Sequence, residues 1–282
     1  MANGDGNPVK LAVAGWRCGL AAIRSMPWVA LTAWMLLVVL YLLFQQYSAG
    51  MNYLAFALPR LLLIPAGQIF ANILLRAVSA AVFILYCGIV VPLLIAVHRY
   101  VQLGEITRRY SIDHFSARYG RYYGVVFLLS LIWQSSLALA VRPLLIKVMA
   151  YAPFYLMNIF FMYSVGFVVI SAVVTLLPAI AIDAREAALP TFWRDALKAA
   201  KDHIWRLLAV LALATIPMMA LRVASVWLVV LISRIGIYEP FAFIMALDLA
   251  QFVLAIAVYA AIASLLYREF DGRADSTPQA LA

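Results

Sequence analysis

Apolar residues run through this chain in six long stretches, each broken by a short cluster of basic and polar positions. The stretches lie near Trp28 to Tyr47, Ala77 to Val97, Tyr123 to Val141, Phe154 to Ile182, Trp205 to Leu221 and Phe241 to Tyr267. Each is continuously apolar rather than alternating, so the pattern predicts α-helices and not the strands of a barrel, in which lipid-facing and lumen-facing residues alternate. A hydrocarbon core about 30 Å thick is crossed by roughly 20 helical residues. The expected fold is therefore all-α: one polytopic membrane helix bundle over residues 1–270, with six transmembrane helices, and a short tail at 271–282.

The breaks between stretches set an orientation. Lys10, Arg17 and Arg24 precede the first span; Arg99, Arg108, Arg109, Arg118 and Arg121 follow the second; Arg185, Arg194, Lys198, Lys201 and Arg206 follow the fourth; Arg268 and Arg273 close the sixth. Fifteen of the 21 basic residues thus gather on one side. The positive-inside rule puts that side, with both termini, in the cytoplasm. On this reading VPLLIAVHRYVQLGE, Val91 to Glu105, turns from apolar to basic at His98-Arg99 because the second helix leaves the bilayer there. The first span is preceded by 27 residues and is about twenty long, which argues for a retained helix; the apolar core of a signal peptide runs about 7–15 residues.

Amphipathic pieces flank the spans. In Thr191 to Ile204, Trp193, Leu197, Ala200 and Ile204 share one face and Arg194, Lys198 and Lys201 another, the spacing of a helix lying in the interface. In the N-terminal arm Val13, Trp16, Leu20 and Ile23 share a face beside Lys10, Arg17 and Arg24. Contact with anionic headgroups of the lipid bilayer is expected through Arg17, Arg24, Arg99, Arg108, Arg109, Arg194, Lys198 and Lys201. The alternative use of these faces is docking of a membrane or cytoplasmic protein partner. On the other side the connections Tyr53 to Ile64, Pro143 to Tyr151 and Val223 to Ile235 are too short to cross and too apolar to be solvated, so re-entrant or interfacial segments are expected. Arg99, Arg185 and Arg268 recur at intervals of 86 and 83 residues, and Arg60, Arg142 and Arg222 at 82 and 80, a spacing that fits three tandem two-span units.

Composition agrees with a membrane location. Hydrophobic residues make up 67% and charged residues 12%, against about 45–50% and about 25% in a soluble globular chain. The net charge of +9 is spread over clusters between spans, not held in one patch, so no nucleic-acid partner is expected. Cys18 and Cys87 do not make a disulfide framework. His98, His114 and His203 lack metal-ligand spacing, and there is no glycine-rich phosphate loop or nucleophile elbow. No metal or cofactor is expected, and enzyme is the weaker functional class. Asp248 is the carboxylate set well inside a span, with Gln251 one turn further on; at that depth an ionisable group is costly enough to be a functional candidate. Its expected partner is Arg222, or else Arg76. Beside it Ala242, Ala246 and Ala250 form a ridge of small residues that favours close approach of another span.

Three segments carry a likeness: HRYVQLGE after the second span, TFWRDALKAAKDHIWRLLAVLALATIP around the fifth, and LLYREFDGR at the end of the sixth. With them the chain resembles bacterial six-helix inner-membrane proteins related to the membrane-anchor domain of glycerophosphodiester phosphodiesterases. The likeness implies the fold and a bacterial inner-membrane location. In larger relatives a soluble phosphodiesterase region follows the helices; here the expectation is a chain without it, so the resemblance implies no catalytic residue. The expected function is that of a non-enzymatic scaffold or accessory factor for an envelope or lipid-related process. A transporter or lipid-handling protein is the alternative, using Arg60, Arg142, Arg222 and Asp248. A scaffold calls for an apolar interior, a carrier for a polar cavity near the midplane.

Overall fold

The computed structural model describes the backbone over residues 7–62, 66–111, 116–145, 169, 173–182, 201, 203–234 and 241–270. Side chains are described over 7–47, 77–111, 116–132, 173–182, 243–269 and most of 203–234. Six long helices result: α1 (Pro8–Ser25), α2 (Pro27–Leu62), α3 (Ala66–Leu103), α4 (Ala117–Leu145), α5 (Ile204–Arg234) and α6 (Phe241–Phe270). Residues 173–181 are also helical, and no strand occurs among the described residues. Four helices contain stretches long and apolar enough to cross a membrane, Pro27–Tyr47, Ala77–Leu103, Trp205–Ile232 and Phe243–Glu269. The chain is a multi-pass membrane protein by this measure. These four match the first, second, fifth and sixth expected spans. The third falls within α4, and most of the fourth, like the interfacial helix expected from residue 191 and the tail, lies outside the described residues.

Local chemistry explains where the helices begin and end. At the start of α1 the Asn7 side chain accepts a hydrogen bond from the Val9 N–H at 2.9 Å, and Pro8 occupies the first turn, where its missing N–H costs nothing. Met26, outside helical geometry, separates α1 from α2. At the other terminus of α3, Gly104 adopts a φ of 70° and returns its N–H to the Tyr100 carbonyl at 3.0 Å. This is the left-handed cap that glycine accepts without steric penalty.

One expectation needs correction. The segments Tyr53 to Ile64 and Val223 to Ile235 are not separate re-entrant pieces: α2 continues to Leu62 and α5 to Arg234. Once a helix exists, each further residue adds a hydrogen bond at little cost, and an apolar environment penalises any other backbone state. Helix α3 does not stop at His98-Arg99. The α3 helix runs on to Leu103, and Val97, His98, Tyr100 and Val101 are all buried in the bundle.

Packing fixes the directions of the helices. Tyr86 lies against Phe252 with ring centroids 5.5 Å apart, and Nδ1 of His98 lies 2.7 Å from Ser264 Oγ. Both pairs are 166 residues apart, so α3 and α6 run parallel and in register. Ser25 Oγ meets Tyr100 Oη at 3.4 Å, which places the start of α2 at the end of α3. Arg206, at the start of α5, pairs with Glu269, at the end of α6, at 2.5 Å. The outgoing and incoming ends of these helices therefore gather at one end of the bundle, as expected of hairpins.

The main core lies between α1, α2, α3 and α6, where Ala22, Val29, Ala33, Leu37, Leu93, Val97, Ala257 and Ala261 are buried together. Helix α1 contributes its small residues to this packing: Ala12, Gly15, Cys18, Gly19 and Ala22 are buried, whereas Val13 and Leu20 are each 45% uncovered. The apolar face read from the sequence is thus divided: Val13 and Leu20 turn outward, while Trp16 and Ile23 pack against the bundle, the Trp16 indole N–H donating to the Ala214 carbonyl at 3.1 Å. A Cβ added to Gly15 would lie 2.2 Å from Ile262 Cγ1, and one on Gly19 would lie 2.8 Å from Val258 Cα. The motif GWRCG is a small-xxx-small contact that brings the two backbones together.

Candidate functional site at the ends of the bundle

At the end where α3 and α6 finish, Arg99 is held by two acceptors. Its Nε and Nη2 donate to the Glu105 carboxylate, both at 2.7 Å, and its Nη1 donates to the Ala181 carbonyl at 3.2 Å. Gly104 makes this fork possible, because its turn folds Glu105 back towards the guanidinium six residues earlier. Beside it His98 is fully buried between Ser264 and the ring of Tyr122, whose centroid is 5.9 Å away. Gln102 adds a hydrogen bond to the Ser264 carbonyl at 2.6 Å. His98 is therefore a core residue holding α3 to α6.

Pro92 sits inside α3, has no N–H, and leaves the Gly88 carbonyl one turn earlier without its helical partner. The Tyr119 hydroxyl donates to that carbonyl at 2.9 Å, and the Tyr110 hydroxyl donates to the adjacent Ile89 carbonyl at 2.7 Å. Tyr123 does the same for Ile84 at 3.1 Å. Three tyrosines from α4 and the preceding loop thereby fasten onto the wall of α3. Burial pushes the Tyr110 phenol well above its ordinary value, so it remains a proton donor through the neutral range.

Around this junction is a cavity of about 260 Å³. Arg99, Arg109 and Arg118 line it together with the hydroxyl-bearing Tyr110, Ser111 and Ser116. Ser116 also caps α4, accepting from the Tyr119 N–H at 3.1 Å. Of the residues expected to meet anionic headgroups, Arg17, Arg24, Arg108, Arg109 and Lys201 are exposed, while Arg99 is largely enclosed by its acceptors. Arg194 and Lys198 lie outside the described residues.

At the opposite end Asp248 and Arg222 form an ion pair between α6 and α5, the partnership expected from the sequence. The Gln251 amide donates to Ser225 Oγ and to the Leu221 carbonyl, so it braces the same pair of helices. Arg76 is helical, with its side chain outside the described residues, as are those of Arg60 and Arg142. Of the alanine ridge, the Ala246 carbonyl accepts the Trp34 indole N–H at 2.8 Å, so this face turns towards α2. No group of three or more metal-ligating side chains occurs among the described residues. Comparison of the chain with family models, with curated proteins and with solved structures finds no match.

Proposed function

We propose that the protein is a non-enzymatic scaffold or accessory factor of a bacterial inner membrane, serving an envelope or lipid-related process, with both termini in the cytoplasm. The relation to the membrane-anchor domain of glycerophosphodiester phosphodiesterases is part of this proposal, as is recruitment of a protein partner through the basic ends. The observation that supports it most is the interior itself: where α1, α2, α3 and α6 meet, the space is filled by apolar and small side chains. The charge at Asp248 is already matched by Arg222. A lipid-handling protein is the second reading, favoured by Arg222, whose side chain is 53% uncovered although it lies inside an apolar stretch.

The two readings part in proteoliposomes. A scaffold leaves the exchange of fluorescent phospholipid between leaflets at the rate of empty vesicles, and captures the same membrane partner as wild type when Arg222→Gln and Asp248→Asn are combined. Accelerated exchange that the double substitution abolishes replaces the scaffold reading with the lipid-handling one.

A further inference from the structure

The arginine-lined cavity does not stand alone. A second hollow of about 410 Å³ runs between α3 and α4, lined by Ile84, Leu85, Gly88, Gly120 and Tyr123. The two share Tyr119 as a wall, and the Tyr119 hydroxyl is tied to the Gly88 carbonyl between them. One compartment sets arginines and hydroxyls against apolar residues such as Pro92 and Ile95, and the other is apolar, with Ile84 and Leu85 46% and 56% uncovered. A Cβ on Gly120 or Gly124 would meet nothing within 4 Å, so the glycines of α4 leave room where most residues would fill it.

We propose that these two hollows form one site for a single phospholipid with an anionic phosphodiester headgroup. The headgroup phosphate enters the polar cavity and meets the Arg109 guanidinium and the surrounding hydroxyls. One acyl chain lies in the groove beside Gly120. Charge selects the headgroup: no acidic side chain is among the described lining residues, and Glu105 is engaged by Arg99. Arginine suits a phosphate because its planar fork offers paired donors. The first turn of α4, from Ser116 to Tyr119, forms part of the wall and adds the positive end of a helix dipole. Shape selects a lipid over a free phosphate, since an apolar groove of the larger volume adjoins the cavity across Tyr119. The site stands on its own residues and does not depend on the scaffold reading.

The test uses the full chain, delipidated in detergent and offered an equal mixture of phosphatidylglycerol and phosphatidylcholine, with retained lipid counted by native mass spectrometry. The expected result is one phosphatidylglycerol per chain in clear excess over phosphatidylcholine. Arg109→Gln, at an exposed loop position, weakens retention about tenfold, the value of one lost charge-assisted hydrogen bond. Gly120→Leu, which fills open space and favours the helix, weakens it as well, while Arg234→Gln at the far end of α5 leaves it unchanged. Retention of both lipids alike, or of phosphatidylglycerol alike by wild type, Arg109→Gln and Gly120→Leu, overturns the site. Glycerol phosphate displacing the lipid at equal concentration, with Gly120→Leu behaving as wild type, overturns the groove and reduces the cavity to a binder of free phosphate.

Discussion

At the end of the bundle where α3 and α6 finish, Arg99 is only 19% uncovered, forked onto Glu105, and tied to a carbonyl of the helical segment 173–181. At the opposite end Arg222 is 53% uncovered and meets Asp248 across two helices only. Both are arginine–carboxylate pairs, yet they are set in different surroundings. The first is one strand of a web that includes His98, Ser264, Gln102 and the three tyrosines on α3. The second depends on its two partners and the brace of Gln251 on Ser225. Packing accounts for the contrast: α1 fills the space beside α6 at the first end, while most of the described side chains of α5 beyond Pro217 are exposed. A web spreads the loss of one member over many contacts; an isolated pair transfers the whole loss to the remaining charge.

The sharpest way to break this contrast is to disturb the close approach on which the packed end rests. Gly19→Ala puts a methyl group against the Val258 backbone, which cannot rotate away, and lowers thermal stability in detergent by about 1–3 kcal/mol. Gly15→Ala is costly as well, because the atom it meets at 2.2 Å is Cγ1 of the buried Ile262, a β-branched side chain with one preferred χ1 in a helix. A melting temperature equal to that of wild type in either variant contradicts the packing described.

Next in size is the isolated pair. Asp248→Asn leaves Arg222 without its counter-charge in an apolar stretch and costs about 1–3 kcal/mol, whereas combining it with Arg222→Gln recovers most of the loss. A double-mutant cycle in lipid nanodiscs reads the coupling; additive effects show that the pair does not act as a unit. Smaller again is Tyr119→Phe, which returns the Gly88 carbonyl, one turn before Pro92, to an unpaired state and costs about 1 kcal/mol.

The smallest effect is at Cys18, whose thiol is raised above its ordinary value by burial, with the charge of Arg268 opposing the shift. A raised acid favours the neutral form in the folded state. The unfolded chain therefore ionises first, and stability falls slightly as pH climbs past the ordinary thiol value. Cys18→Ala removes that slope, and maleimide labelling of the native protein at Cys18 stays slow until denaturant is added. Rapid native labelling means that α1 is not seated on α6.

Several features were open to reading from the sequence because they depend on near neighbours or on solvent alone. Apolar runs at Trp28, Ala77, Trp205 and Phe241 announce helices that match a bilayer, since the cost of burying unpaired backbone in lipid leaves no other structure. Asp248 pointed to Arg222 because a lone carboxylate at that depth needs a cation within reach of a neighbouring helix. The exposed edge of Lys10, Arg17 and Arg24 also followed from spacing. GWRCG was legible in principle as a small-residue contact, but the larger side chains at Val13 and Leu20 made the more conspicuous stripe.

What the tertiary structure alone decided is which of several plausible faces is buried, and what lies across from it. Nothing in the sequence shows that Ser264 and Tyr122, distant along the chain, close around His98. Pro92 predicts a kink, but not that Tyr119 and Tyr110 will supply the donors at that point in α3. The meeting of the arginine-lined cavity with the Gly120 groove depends on how α4 lies against α3. Local pattern determines that a helix forms and enters lipid, because both follow from its own hydrogen bonds and apolar surface. Partner choice depends on shape and charge contributed by other helices, and those become neighbours only when the chain has folded.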